Sequence, residues 1–406
     1  MFLISSNAIC AYDFEYDGIY YNITSVTDFT AEVTSGDKEY SGDVVIPSTV
    51  IYKSKTLKVT SIGDWAFGDS AELTSINIPN SITDIGSNAF NGCFALQKVT
   101  INCTIIDNHS FSYSSSLKEV IIGDSVKRIM RDAFYNCYNL INVKMGNNVT
   151  EIGDGAFYRC SKLNNITIPD GVTSIGDKAF LECSSLPYIN IPQSVEWIGS
   201  AAFHNCIGLK KVEINCDYVQ NWFSGNTSIK EIVLGNDVLG FASEVTKAFE
   251  GCTGLETVTI GSSISKIRFN TFSGCTGLKK IYLMGTTPPI VDVENFTDIQ
   301  YVDVVLYVPV GTLETYQKSE GWGKFWDIRE FAVTGVYDLP AENISAFEKV
   351  SDGVVFTNLI GKNVTIYTVG GVLVENIPIY KGESVTLDKG IYILRVGNSC
   401  LKFMIE

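Results

Sequence analysis

Histidine is nearly absent from this 406-residue chain, which holds only His109 and His204. No H-E-x-x-H and no paired C-x-x-C accompanies them, so a zinc site or a histidine-based triad has almost nothing to draw on. No metal, cofactor or catalysis is expected. Long apolar runs are also lacking. No stretch of eighteen apolar residues occurs, which excludes a membrane-spanning helix. Cations are in deficit, with 30 Lys and Arg against 45 Asp and Glu, a net charge of −15. The cations that exist form no dense run. A chain of this balance repels nucleic acid and anionic surfaces, and no nucleic-acid partner is expected.

Apolar residues are plentiful, at 45%, with only 18% charged. That composition packs and is not that of a disordered chain. Its organisation is periodic. Ala-Phe recurs at Ala66-Phe67, Ala89-Phe90, Ala133-Phe134, Ala156-Phe157, Ala179-Phe180, Ala202-Phe203 and Ala248-Phe249, and Ser110-Phe111 and Thr271-Phe272 hold the same place. The step is 23 residues from Phe134 through Phe157 and Phe180 to Phe203. The longer intervals conceal degenerate units around Phe111 and Phe223. A clean unit reads Leu163, Ile166, Ile168-Pro169, Val172, Ile175-Gly176, Ala179-Phe180, Cys183.

Leu-x-x-Ile-x-Ile ends in period-two alternation, the mark of a strand with one buried face. Pro or Gly ends it, and Val-x-x-Ile-Gly forms a second short apolar pair. Ala-Phe then turns back into the core on a turn or half-turn of helix. One unit buries too little to fold alone, whereas stacked units share a continuous core. The expected fold is a β-rich repeat solenoid with repeats of about 23 residues, ten of which can be traced between Val59 and Leu283.

These motifs resemble those of BspA-type leucine-rich-repeat proteins, from residue 59 to about 332. The resemblance implies a curved solenoid, secreted or displayed on the cell surface of a host-associated microbe, that adheres to host proteins or other cells. The expected partner is therefore an extracellular protein. A carbohydrate-binding or purely structural envelope role is the alternative, and a hydrolase is a distant third.

Cys93, Cys137, Cys160, Cys183, Cys206, Cys252 and Cys275 each follow the repeat phenylalanine by three residues, a slot that Ser70, Ser114 and Asn226 fill elsewhere. Equivalent side chains pointing one way do not meet in pairs, and the total of 11 cysteines is odd. The slot reads as a buried column of reduced thiols in which Ser and Asn can substitute by hydrogen bonding. Cys103 and Cys216, both in Ile-Asn-Cys where other repeats carry Pro or Gly, introduce the two short repeats and read as paired variants of one insertion pattern.

Four segments are expected. Residues 1–58 hold Met1–Ala11, read either as a signal remnant or as a disordered N-terminus, and an N-terminal β cap with a hairpin turning at Asp17-Gly18. Residues 59–283 are the solenoid. Residues 284–332 seal its end with a last strand, a short helix and the bulky Trp322, Phe325, Trp326 and Ile328. Residues 333–406 form a small β-sandwich after a linker at Asp338–Asn343. Its Gly371, Gly390, Tyr392 and Lys402 resemble a type IX secretion sorting domain, which implies a role in export or outer-membrane anchoring.

Strand residues two and four places after the leading Leu should face outward, among them Tyr188, Asn190, Lys211, Glu213, Val233 and Tyr282. Interfaces favour aromatic and long cationic groups. Tyr188, Trp197 and Lys211 around the sixth and seventh repeats are therefore the candidate ligand-binding residues, with Tyr282 a further one. Tyr188 and Trp197 belong to different segments of the unit, and whether they share a face is open.

Overall fold

The computed structural model describes residues 12–242 and 247–331 and, beyond them, the segments 347–350, 353–356, 364–368, 373–377, 385–387, 390–396 and 399–405. The signal remnant and the linker expected at 338–343 lie outside the described residues. The chain divides into two compact units, 1–330 and 331–406.

The first unit opens with the expected hairpin. Phe14–Tyr16 pairs antiparallel with Ile19–Ser25, across Asp17 (φ 51°) and Gly18 (φ 76°). Positive φ at both central residues is what a two-residue type I′ connection requires. A second hairpin joins Thr49–Tyr52 to Lys55–Ile62 with the same left-handed pair at Lys53 and Ser54. Lys-Ser carries no turn signal, so the strand Thr49–Tyr52 is absent from the sequence-based expectation.

From there each repeat adds one rung to three parallel stacks. The first sheet takes the Leu-x-x-Ile segment, in register Lys98, Glu119, Asn142, Asn165. It resumes as Tyr188, Lys211, Glu231, Thr257, Lys280. The gap between these runs falls at Pro187. Lys118, Ile141 and Asn164 each donate their backbone N–H to the preceding repeat at this position, and proline has no N–H to give. The second sheet takes the Val-x-x-Ile segment, in register Asp84, Ile105, Arg128, Glu151, Ser174, Trp197.

The third stack is the Ala-Phe turn, which contains no helix. Phe134, Phe157 and Phe180 donate their N–H to Ala156, Ala179 and Ala202 of the following repeat, each at 2.8 Å. Left-handed residues stand two before and two after the phenylalanine, as Asp132 and Asn136, Gly155 and Arg159, and Lys178 and Glu182. They close the chain on itself and prevent a helix from propagating.

The phenylalanines form one buried column from Phe67 to Phe296. Phe134, Phe157, Phe180 and Phe203 lie 5.3–5.4 Å apart, centroid to centroid, with near-parallel rings. Phe111 and Phe223 join the column, so both degenerate repeats are structural repeats. Tyr40 closes one end, 4.4 Å from Phe67, and Trp322 and Phe325 close the other against Phe296. Trp326 takes no part in this seal and is 78% exposed.

The cysteine column runs alongside. Cys137, Cys160, Cys183 and Cys206 are free and fully buried. Their Sγ atoms donate to the carbonyls of Phe111, Phe134, Phe157 and Phe180 at 3.1–3.2 Å. Ser114 makes the same bond to Phe90 O at 2.9 Å. Asn226 reaches Cys206 O instead, at 3.2 Å. Glycine is required after the second strand, because a Cβ on Gly199 would lie 2.3 Å from the Asp177 backbone nitrogen.

Two expectations need correction. The repeat continues past Leu283: Ile290–Val291 pairs with Lys266–Ile267, Phe296 stacks on Phe272 and Val305–Pro309 pairs with Lys280–Leu283. Leu283 to Val291 takes eight steps where Ile260 to Ile267 takes seven, which shifts the repeat spacing there, and a helix at Asp298–Asp303, entered through a Thr297/Gln300 capping box, follows Phe296. Cys103 and Cys216 introduce short repeats as expected, and the variation they mark is a loss of residues, not an insertion. Ile101 to Ile106 takes five steps where Ile168 to Ile175 takes seven.

The second unit contains an antiparallel four-stranded sheet in the order Leu373–Ile377, Val364–Thr368, Gly390–Val396, Ser399–Ile405. A separate hairpin pairs Phe347–Val350 with Gly353–Phe356.

Candidate functional site

Inward side chains of both sheets share one core, so the outward residues of the two sheets face different directions. This separates the four candidates. Tyr188 and Lys211 are direct register partners on the first sheet. Tyr282 lies on the same sheet four rungs from Tyr188, and Trp197 stands on the second sheet. The open question of a shared face is thereby answered against Trp197.

The first-sheet pair is engaged internally. Tyr188 Oη donates to Glu213 Oε2 at 3.0 Å, and burial, then the Glu213 charge, pushes its phenol well above the usual tyrosine range. Lys211 Nζ lies 2.8 Å from Glu231 Oε1, with its side chain only 15% exposed. Val233, expected outward, is buried between the Glu213 and Thr259 rungs. Tyr282 is stacked on Tyr307 at 4.5 Å and 9°. Lys230 and Lys279 flank Glu256 at 2.8 and 2.9 Å and lower its carboxyl to about 2. The charges named on this face are paired with one another.

A second aromatic array, absent from the sequence-based candidates, sits on the turn edge. Tyr113 meets Tyr135 edge-on at 5.2 Å, and Tyr135 lies 5.1 Å from Tyr158. The Arg159 guanidinium lies over the Tyr158 ring at 5.2 Å and pairs with Glu182 at 3.0 Å. Tyr113 and the neighbouring Tyr138 are 44% and 49% exposed. Tyr135 and Tyr158 directly follow the repeat phenylalanine, and that recurrence is a signal the sequence carried.

The third feature is a break in the second sheet. Trp197–Ile198 ends one run and Tyr218–Val219 begins another. Its cause is chain length. Val219 to Phe223 takes four steps where Ile198 to Phe203 takes five. The other shortened unit keeps five steps from Ile106 to Phe111, and its strand pairs on both sides. At the break opens a cleft of about 260 Å³ lined by Trp197, Tyr218, Trp222 and polar side chains. Trp222 fills the slot that other repeats give to Ala, Ser, Thr or Asn. A large residue in a small-residue column was the legible sign.

Among the described residues no group of three or more His, Cys, Asp or Glu is placed to hold a metal ion. No helix among them is long and apolar enough to cross a membrane.

The sequence pattern of the BspA type leucine rich repeat region matches residues 48–164, 150–279 and 218–297, and the chain belongs to this family. Such repeat proteins generally bind other proteins and are typically non-catalytic scaffolds. Among solved structures, the chain is similar to a leucine rich cell surface protein from Faecalibacterium prausnitzii A2-165, with 24% identity, 78% of this chain and 94% of that one covered, and a TM-score of 0.47. It is also similar to a leucine-rich repeat protein from Bacteroides ovatus ATCC 8483, with 24% identity, 79% and 100% covered, and a TM-score of 0.49. No curated protein matches.

Proposed function

We propose that this protein is an adhesin-like binding module, secreted or displayed on the cell surface, that recognises an extracellular protein of the host or of another microbe. The carrying observation is the Tyr113–Tyr135–Tyr158 ladder with Arg159. Tyr and Arg dominate interface hot spots, and Tyr supplies contact area at low conformational cost. Successive repeats hold these rings on a backbone already fixed by stacking, so little entropy is lost on binding.

This edge is favoured over the Tyr188–Lys211 pair, whose polar ends are already bonded to Glu213 and Glu231. Pull-down from extracellular-matrix and cell-surface protein fractions tests the function. Replacing Tyr135 and Tyr158 with Ala should weaken capture at least tenfold, about 1.4 kcal/mol, with an unchanged melting profile. Full-strength capture by that variant, combined with loss in a Tyr188→Ala/Lys211→Ala variant, would return the site to the first sheet.

Residues 333–406 we assign to export or anchoring at the outer membrane, on the resemblance of Gly371, Gly390, Tyr392 and Lys402 to a sorting domain. Deleting them should leave the repeat array folded and absent from the cell surface, as read by surface labelling of intact cells. Undiminished display would reject the assignment.

A further inference from the structure

We propose that the cleft at the break in the second sheet is a binding subsite for a neutral pyranose glycan. Two exposed aromatic residues flank it, Trp197 at 49% and Tyr218 at 53% exposure, with Trp222 buried beside them. Aromatic faces of this kind cover the C–H face of a sugar ring, burying apolar area while leaving the ring hydroxyls at the rim. That rim is supplied by Gln193, Glu196, Asp217 and Gln220. Among the described residues, none of these four side chains makes a hydrogen bond or ion pair with another group. Carboxylates accept from two vicinal hydroxyls, and amides both donate and accept. The set therefore fits a diol better than an apolar ligand.

Backbone groups add to it. Thr150, Thr173 and Glu196 each donate N–H to the preceding repeat, at Lys127, Thr150 and Thr173. No equivalent bond links Asp217 to Glu196, because Trp197–Ile198 and Tyr218–Val219 do not pair. The Glu196 carbonyl is thus left facing the gap as a further acceptor.

Two considerations narrow the ligand. No Lys, Arg or His lines the cleft, so nothing there pairs with a carboxylate or sulfate, and Glu196 and Asp217 repel both. Sialylated, uronic and sulfated sugars are disfavoured. An extended peptide is also disfavoured. Strand addition needs a usable edge, and each flanking strand has only two residues. The cleft volume, about 260 Å³, falls below the roughly 300–1,000 Å³ of sites that enclose drug-sized ligands, which suits one sugar ring of a longer chain.

The full chain is passed over immobilised neutral oligosaccharides (β-glucan, α-mannan and galactan fragments) beside sialylated and sulfated ones and a random peptide library. Retention on at least one neutral glycan is expected, with none on the anionic set. Trp197→Ala should reduce it about tenfold, Trp197→Tyr should preserve most of it, and Asp217→Asn should lower it severalfold. Should Trp197→Ala fail to fold, Tyr218→Ala carries the same expectation at an equally exposed position. Absence of retention on every neutral glycan, preference for the anionic set, retention indifferent to Trp197 and Asp217, or occupation of the cleft by library peptides would each overturn the proposal.

Discussion

Raising the pH from 9 to 10 is expected to destabilise the repeat array and lower its melting temperature. Burial pushes the thiols of Cys93, Cys103, Cys206, Cys216 and Cys252 up to about 12. It raises Cys137, Cys160, Cys183 and Cys275 as well. In the unfolded chain these groups ionise near their ordinary value of about 9, while in the folded chain they hold their protons. The folded state thus binds more protons between pH 9 and 12. Stability is complete below pH 9 and falls as the pH climbs through that window. A thiol held at about 12 in the folded chain loses about 1.4 kcal/mol of its contribution by pH 10. Among the described residues nine buried thiols act in the same direction, so the alkaline loss is shared along the whole column.

Circular dichroism along a pH series checks this in reductant. Replacing Cys137, Cys160, Cys183 and Cys206 with Ser should move the alkaline midpoint upward, since Ser114 already makes the same bond to the preceding phenylalanine carbonyl. A midpoint unmoved by those four changes would show that the thiols are not what fails. Ellman titration of unfolded protein prepared without reductant should find all four free, and disulfides among them would remove the basis of the prediction.

The solenoid was legible because its repeat is a steric necessity. Phenylalanine, cysteine and glycine hold fixed slots since each meets the adjacent repeat: phenylalanine stacks on phenylalanine, cysteine bonds a phenylalanine carbonyl, and a side chain at Gly199 would collide with Asp177. Legibility failed where contacts cross repeats at variable positions. Pro187 interrupts the first sheet through an N–H it lacks in pairing with a residue 23 places earlier. Tyr188 and Lys211 look like free hot-spot residues along the chain, yet their partners Glu213 and Glu231 are visible only once the register is known. The cleft at Trp197 arises from one residue missing between Val219 and Phe223, a change whose effect lies in the adjacent repeat. Phe296 escaped notice because one extra residue between Leu283 and Val291 lengthens the step from Phe272 to 24, and Asn295 stands where most repeats carry Ala.

Phe180→Ala is expected to cost about 3–5 kcal/mol, the loss found when a large aromatic side chain is cut from a packed core. The ring is fully buried, with Phe157 at 5.4 Å on one side and Phe203 at 5.3 Å on the other. Neither neighbour can readily move into the space: the Phe157 N–H is bonded to the Ala179 carbonyl, and the turns that carry Phe157 and Phe203 are closed by the left-handed pairs Gly155 and Arg159, and Ala201 and Asn205. A cavity therefore persists.

Its position gives the effect a second signature. In a repeat array, stability is close to a sum of unit terms and nearest-neighbour couplings. Deleting a central ring weakens two couplings at once and divides the stack into a segment before it and a segment after it. Urea denaturation should show an earlier midpoint together with a shallower slope, as the two segments begin to unfold separately. Phe180→Leu, leaving a smaller void, should recover part of the midpoint and most of the slope. An unshifted midpoint for Phe180→Ala would mean that the column is not a shared core, and the stacked-ring account of this solenoid would have to be abandoned.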